Sequence, residues 1–305
     1  MSTAATPSAV LCAGRLYCDL VFTGVPNLPV MGTETFADNL SLHAGGGAFI
    51  TAAAFSALGW QASLLATLPA APFDSVVRTD IEHSNVNTDQ CVEAALGATP
   101  QLTVAIAGAD DRAFLSNKSG AAMPDIDLLL GTFRHLHIGE LRSLVEHPDL
   151  TEKARAAGMT ISLDCAWDEE LLARGSLLST LISGVDVFLP NESEFSALTQ
   201  SGMAEDVAPL TIVKCGSDGA RAFEKGIWIE EKTSPITVVD ATGAGDAFNG
   251  GFLGSWLSGK SLRDCLIDGN RCGGISIGQP GGTGGMTELR GKLDTAAAGA
   301  AASAS

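Results

Sequence analysis

Short apolar runs alternate along this chain with longer segments whose apolar residues recur every three or four positions. The runs lie at Ala9–Ala13, Ala62–Ala66, His135–Ile138, Thr160–Leu163, Val185–Leu189, Leu210–Val213 and Gly219–Phe223, each of a length that suits a buried strand. Helical spacing marks Ala48–Leu58, Asp149–Ala157, Glu192–Thr199, Asp246–Leu257 and Leu262–Ile277. Strands that are apolar on both faces and alternate with helices predict an α/β fold. It is a doubly wound, mostly parallel sheet with helices on both faces. Two stretches break the rhythm. Residues 20–43 and 91–118 alternate polar and apolar positions, as in Gln101-Leu-Thr-Val-Ala-Ile106, which predicts strands with one wet face. No internal repeat or second boundary is visible, so residues 8–292 read as a single domain. The tail 295–305 is almost all Ala, Gly and Ser without an apolar face, and is expected to be a disordered end.

Composition narrows the class. The chain has 305 residues, 46% hydrophobic and 17% charged, enough to bury a large core. A formal net charge of −17 argues against nucleic acid or an anionic membrane as partner, because both select basic surfaces. It leaves room for a nucleotide, since a local nest of N–H groups and a metal ion can outweigh the global field. The seven cysteines form no CxxC pair and no zinc spacing, and read as buried thiols of a reducing cytosol. The start lacks a basic region followed by an apolar run, and no stretch reaches membrane-spanning length, so a cytoplasmic location is expected. His135 and His137 face the same side of one strand, where two histidines alone more often pack than bind metal.

The most informative segment is Asp240-Ala-Thr-Gly-Ala-Gly-Asp246-Ala-Phe-Asn-Gly-Gly251. It turns a glycine-rich loop into a helix, and a helix start offers backbone N–H groups to an anion. A carboxylate beside that nest can take a proton from a hydroxyl while the nest holds developing charge, which suits phosphoryl transfer to an alcohol. The bland alternative is a glycine-rich helix start with Asp246 as a first-turn acid. The longer string resembles the signature of the ribokinase-like (PfkB) carbohydrate kinases. Three further segments match that family in order: Gly45-Gly-Gly47 through Leu58-Gly59, Pro190-Asn-Glu-Ser-Glu194 and Lys214-Cys-Gly-Ser-Asp-Gly219. The resemblance covers roughly residues 8 to 292. It implies a ribokinase-like fold in which the two alternating stretches form a small β-lid over the sugar site.

The resemblance also implies roles. Asp246 is the general base, and the N–H groups of Gly243, Ala244 and Gly245 are the anion hole. Asp19 bonds sugar hydroxyls, and Gly45, Gly46 and Gly47 let the backbone approach the sugar. Glu140 and the lid residue Arg112 are weaker substrate candidates. Lys214, Gly216, Gly219, Asn270 and Asn191 fall on the ATP side. Asn191 and Glu194 hold water-coordinated Mg²⁺, although by themselves they read as a helix cap with a first-turn acid. A K⁺ site is implied between the loop of Asp240 and Thr242 and a second loop from Ser276 to Gly285, with Ser276 and Gly281 as candidates. ATP, Mg²⁺ and K⁺ are thus the implied cofactors, a sugar the implied substrate, and pairing through the lid a route to a homodimer. Two departures weaken the case for ribose itself: Tyr17 and Ile50 stand where the family often has Asn. A nucleoside or vitamin-precursor kinase remains open, with Tyr17 and Phe49 as stacking candidates, as does a non-catalytic sugar sensor. The segment Gly254-Ser-Trp-Leu-Ser-Gly259-Lys260-Ser261 formally matches a P-loop. It follows a helix rather than a strand, so Gly259 reads as a helix terminator and Ser261 as the next helix's cap.

Overall fold

The computed structural model describes residues 9–107, 112–124, 133–279 and 281–290. The expected loose start and the Ala/Gly/Ser tail lie outside these residues. In chain order, β1 (Ala9–Ala13), β2 (Tyr17–Thr23) and β3 (Asn39–Gly45) lead into α1 (Gly47–Ala57). Then come β4 (Gln61–Leu65), β5 (Thr67–Leu68), α2 (Asp74–Ser84), β6 (Val92–Glu93), β7 (Leu102–Ala107), β8 (Arg112–Asn117) and β9 (His135–Ile138). They are followed by α3 (Leu141–Glu146), α4 (Leu150–Ala156), β10 (Thr160–Asp164), α5 (Glu169–Leu172), α6 (Gly175–Ile182), β11 (Val187–Leu189) and α7 (Glu192–Gln200). The last are β12 (Leu210–Lys214), β13 (Ala220–Glu224), β14 (Ile227–Glu231), α8 (Ala244–Leu257) and α9 (Leu262–Ser276).

The main sheet has eight strands in the order β14-β13-β12-β11-β10-β9-β1-β4. Its strands run parallel from β4 to β12, and β13 and β14 complete one edge antiparallel. Alternate residues of one strand enter different cores. Val10 and Cys12 pack with α1, α8 and α9, whereas Leu11 and Ala13 pack with α3, α4 and α7 on the other face. A sheet covered on both sides needs apolar residues at every position, which is why its strands read as unbroken apolar runs. β14 was not expected. Its sequence, Ile227-Trp-Ile-Glu-Glu231, is half exposed at the sheet edge and carries no such run.

A second sheet orders β3-β2-β7-β8. Its strands leave the expected segments in two ways. β2 and β3 reach back to Tyr17 and forward to Gly45, while residues 24–38 between them form no strand. Val92–Glu93 pairs with Thr67–Leu68 instead of joining the lid sheet. Both histidines are structural. His135 bonds Thr160 and Ser162 at 2.8 Å, and His137 shares the Ser162 hydroxyl at 2.9 Å. Burial pushes both imidazoles toward neutrality, so they act here as polar spacers of the sheet.

Candidate functional site

Parallel strands gather their carboxyl ends at one edge of the sheet, and ligands of open α/β sheets bind there. β1 delivers Gly14 and Arg15, β9 Gly139 and Glu140, β10 Asp164, β11 Asn191, and β12 Lys214. The N-termini of α1 and α8 meet above that edge. A side chain on Gly47 would come within 2.9 Å of Asp246 Oδ1, so the Asp246 carboxylate lies against the first residue of α1. Thr51 on α1 donates to the Asp246 carbonyl at 3.2 Å and holds the two helices in this relation.

Gly243 caps α8 with φ 73°, a left-handed conformation that glycine adopts without strain. Among the described residues, the N–H groups of Gly243 and Gly245 have no backbone acceptor. The Ala244 N–H differs from expectation, because it donates to Ala241 O at 3.3 Å and turns the loop inward. The loop is braced from behind. Gly282 Cα lies 2.8 Å from where a Gly243 side chain would start, and Ile50 packs against both glycines. Ile50 is thus fully buried beneath the nest, not in the substrate cleft, and Phe49 is completely buried as well. The departure at position 50 therefore concerns the packing of the anion loop.

Burial first, then Asp164, Glu194 and Asp19, pushes Asp246 up to about 7 against the opposing charge of Lys214. Asp19, on β2 beside Gly45, is likewise buried and pushed up to about 7, with Asp240 as the second cause. A side chain on Gly45 would overlap the Asp19 carboxylate, so glycine there is a steric requirement of the acid. No described residue hydrogen-bonds the Asp19 side chain. Tyr17 opens the same strand, and burial followed by Glu140 pushes its phenol up. Glu140 is occupied. It accepts from Ser143 at 2.9 Å and faces Arg15 Nε at 3.6 Å. Arg15, which the sequence did not single out, also donates to Gln101 at 2.7 Å and to both oxygens of Glu146. It fastens the base of the lid to the body. Arg112 opens β8; its side chain lies outside the description.

A cavity of about 410 Å³ opens on the other side of the α8 N-terminus. Lys214, Gly216, Gly219 and Asn270 all line it, together with apolar Ile236 and Phe248. Asn191 does not line it. Its Oδ1 accepts from Glu194 N at 2.9 Å while Glu194 Oε2 accepts from Asn191 N at 2.8 Å, a reciprocal cap of α7 worth about 1 kcal/mol. The cap occupies Asn191 Oδ1 and Glu194 Oε2, and Glu194 is the member of the pair whose charge acts on the acidic cluster. Burial pushes Glu194 up, Asp164 adds to this and Lys214 opposes it. The two loops expected to frame K⁺ do meet. Asp240 Oδ2 accepts from Gly281 N at 2.8 Å, and Oδ1 accepts from Thr242 N and Oγ1. The Asp240 side chain clamps the loops, and Ser276 turns its hydroxyl to Gly273 O within α9.

The P-loop look-alike resolves as a helix junction. Gly259 takes φ 76° after α8, Ser261 caps α9, and exposed Lys260 bonds Asp268 at 2.7 Å. Lys260→Ala is therefore expected to leave KM for ATP within about 2-fold, as for a surface residue; a tenfold rise in a folded variant would reinstate the P-loop.

Two helix N-termini converging on a half-buried carboxylate, at the edge of a doubly wound sheet with a mixed four-stranded lid, define a ribokinase-like phosphotransferase fold. The sequence matches the pfkB family carbohydrate kinases over residues 24–289, and the chain belongs to that family. It is 28% identical over 286 residues to the ATP-dependent ribose-1-phosphate kinase of Halopiger xanaduensis, spanning 89% of this chain and 93% of that one. A cytidine kinase of Thermococcus kodakarensis is 30% identical over 132 residues, 40% of this chain and 47% of that one. Among solved structures, the ribokinase from Cryptococcus neoformans in complex with ADP superimposes with a TM-score of 0.78 at 20% identity, covering 94% of this chain and all of that one.

Proposed function

We propose that this protein transfers the γ-phosphoryl group of ATP to a hydroxyl of a sugar, with Asp246 as the base. The observation that carries this reading is the place of Asp246, between the unpaired N–H groups of the nest, the N-terminus of α1 and the free carboxylate of Asp19. ATP occupies the cavity lined by Lys214, Gly216, Gly219 and Asn270, with its adenine against the apolar wall and its phosphates toward Gly245. The acceptor hydroxyl gives its proton to Asp246 as its oxygen bonds the γ-phosphorus and the bond to ADP breaks. The N–H groups of Gly243 and Gly245 face the charge on the transferring oxygens. A sensor would have no use for this arrangement, since a buried, unpaired carboxylate is costly to keep.

Asp164, Glu194 and Asp246 all act on the charge of Lys214, but among the described residues no three carboxylates stand close enough together to ligate a metal ion directly, so Mg²⁺ would arrive with the nucleotide and its water shell. Glu194 would hold it through water, and bound with the nucleotide it offsets phosphate charge. K⁺ would sit among the carbonyls of the joined loops at Asp240 and Gly281. The exposed apolar residues Leu40 and Leu115 of the lid suit pairing with a second copy. Among the described residues, no helix is long and apolar enough to cross a membrane.

ATP turnover over a panel of ribose, fructose, ribose 1-phosphate and nucleosides tests the reading, run in K⁺ and in Na⁺ at equal ionic strength. Turnover of a sugar, faster in K⁺, is expected. Turnover of nucleosides alone would replace the substrate class, and no turnover with any member would overturn the kinase reading. Equal rates in both salts would remove the K⁺ site and nothing else.

A further inference from the structure

The sequence places Lys214 on the nucleotide side, but the structure shows what holds it. Its ammonium lies 2.9 and 2.8 Å from the two oxygens of Asp164 and 3.3 Å from Asn249 Oδ1. Asn249 closes the triangle by donating its Nδ2 to Asp164 Oδ2 at 2.5 Å. The three residues come from three elements, β12, β10 and α8, and all are buried or nearly so. The triangle lies directly under the anion nest, since a side chain on Gly245 would start 3.3 Å from Lys214 Nζ. Lys214 also lines the nucleotide cavity, so its ammonium stands between a protein carboxylate and the space for phosphate.

Building on the kinase reading above, we infer that Asp164 and Asn249 are positioning residues which fix Lys214 where its ammonium meets the transferring phosphoryl group. A lysine is a point charge on a four-carbon stem with roughly 2 kcal/mol of rotamer entropy. Left alone, it would follow whichever anion came nearest, and would bind ground-state triphosphate as well as the transition state. Rate is gained only from contacts that are better in the transition state, which requires the charge to stay put. Asp164 supplies that fixed point, and Asn249 fixes Asp164. Asn249 also stands three residues after Asp246, on the same face of α8. One rigid helix therefore carries both the base and a corner of the lysine's mount, and the two ends of the reaction keep a constant relation.

A charge pair that merely filled the core would behave differently. Replacing both members of a buried pair by neutral residues is often harmless to folding, whereas removing one is costly. The test uses Lys214→Met, Asp164→Asn, Asn249→Ala and the Lys214→Met/Asp164→Asn double variant, measured on whichever acceptor the wild type turns over. Wild-type turnover settles the kinase reading first, so the variants speak only to the mount. Lys214→Met is expected to lower kcat about 100-fold and to weaken ATP while leaving AMP binding unchanged. Asp164→Asn and Asn249→Ala should each lower kcat about tenfold with KM for ATP unchanged or lower, the sign of a lysine freed to bind ground-state phosphate. The double variant should be no faster than Lys214→Met. Asn249→Ala leaves the charge pair in place and decides the matter if Asp164→Asn does not fold. Wild-type kcat in the double variant, or in Asn249→Ala with only Tm reduced, would overturn the inference and leave the triangle a packing feature.

Discussion

Asp246→Asn is expected to lower kcat by at least about 100-fold, the usual scale of a positioned general base. The amide keeps the size of the side chain and its place against Gly47, so nucleotide affinity should stay near wild type. The pH profile gives the companion result. Asp246 must be unprotonated to accept a proton, and its pKa is pushed up to about 7 by burial and by the carboxylates around it. Activity is then present above that value and lost as pH falls through it, so kcat should drop tenfold per pH unit below about 7. An unperturbed aspartate would hold full activity down to about pH 4. A wild type fully active at pH 5, or an Asp246→Asn enzyme turning over at near-normal rate, would take the base role from this residue.

The same residue shows what the sequence could express. The Asp240–Gly251 string sets both the chemistry and the local backbone, because a left-handed turn followed by a helix start is written in neighbouring residues. The main strands were legible for a similar reason, since burial on both faces leaves apolar runs such as Val10-Leu-Cys12. Asp164 and Arg15 carried no such mark, and Asn249 lay inside the Asp240–Gly251 string without being singled out. Asp164 ends the run Thr160-Ile-Ser-Leu, and a polar residue closing a strand at the carboxyl edge was the one clue available. Its importance arises from sheet order, which sets β10 two strands from β12 and brings Lys214 over it. Arg15 matters because the fold brings Gln101 of the lid and Glu140 and Glu146 of the body against it, partners far apart in sequence. Asn191 shows how one motif can carry two readings: the capping box uses its Oδ1, and its Nδ2 makes no hydrogen bond to a described residue. Ile50 was misplaced because residues on a helix start can face the ligand or the loop behind it, and spacing alone does not say which.

Asp19→Ala is expected to raise KM for the sugar about 100-fold while moving KM for ATP less than about 2-fold. The acid is buried, makes no hydrogen bond to a described residue and lies within the field of Asp240, so its charge awaits compensation by a ligand. A carboxylate has two acceptor oxygens, and vicinal hydroxyls satisfy both. Hydrogen bonds to an ionised group are worth about 1.5–3 kcal/mol each, so losing the pair accounts for a hundredfold in affinity. Donors favour the charged form, whereas burial and Asp240 favour the neutral one. Sugar binding should therefore displace a proton from Asp19. Because that carboxyl is pushed up to about 7, sugar affinity should rise with pH as it passes through that value and level off above it. Asp19→Asn separates this from the base, because it abolishes the pH dependence of sugar affinity while leaving the acid limb of kcat to Asp246. A sugar KM that Asp19→Ala leaves unchanged would remove Asp19 from the acceptor site and leave its burial beside Gly45 as a structural feature of the lid hinge.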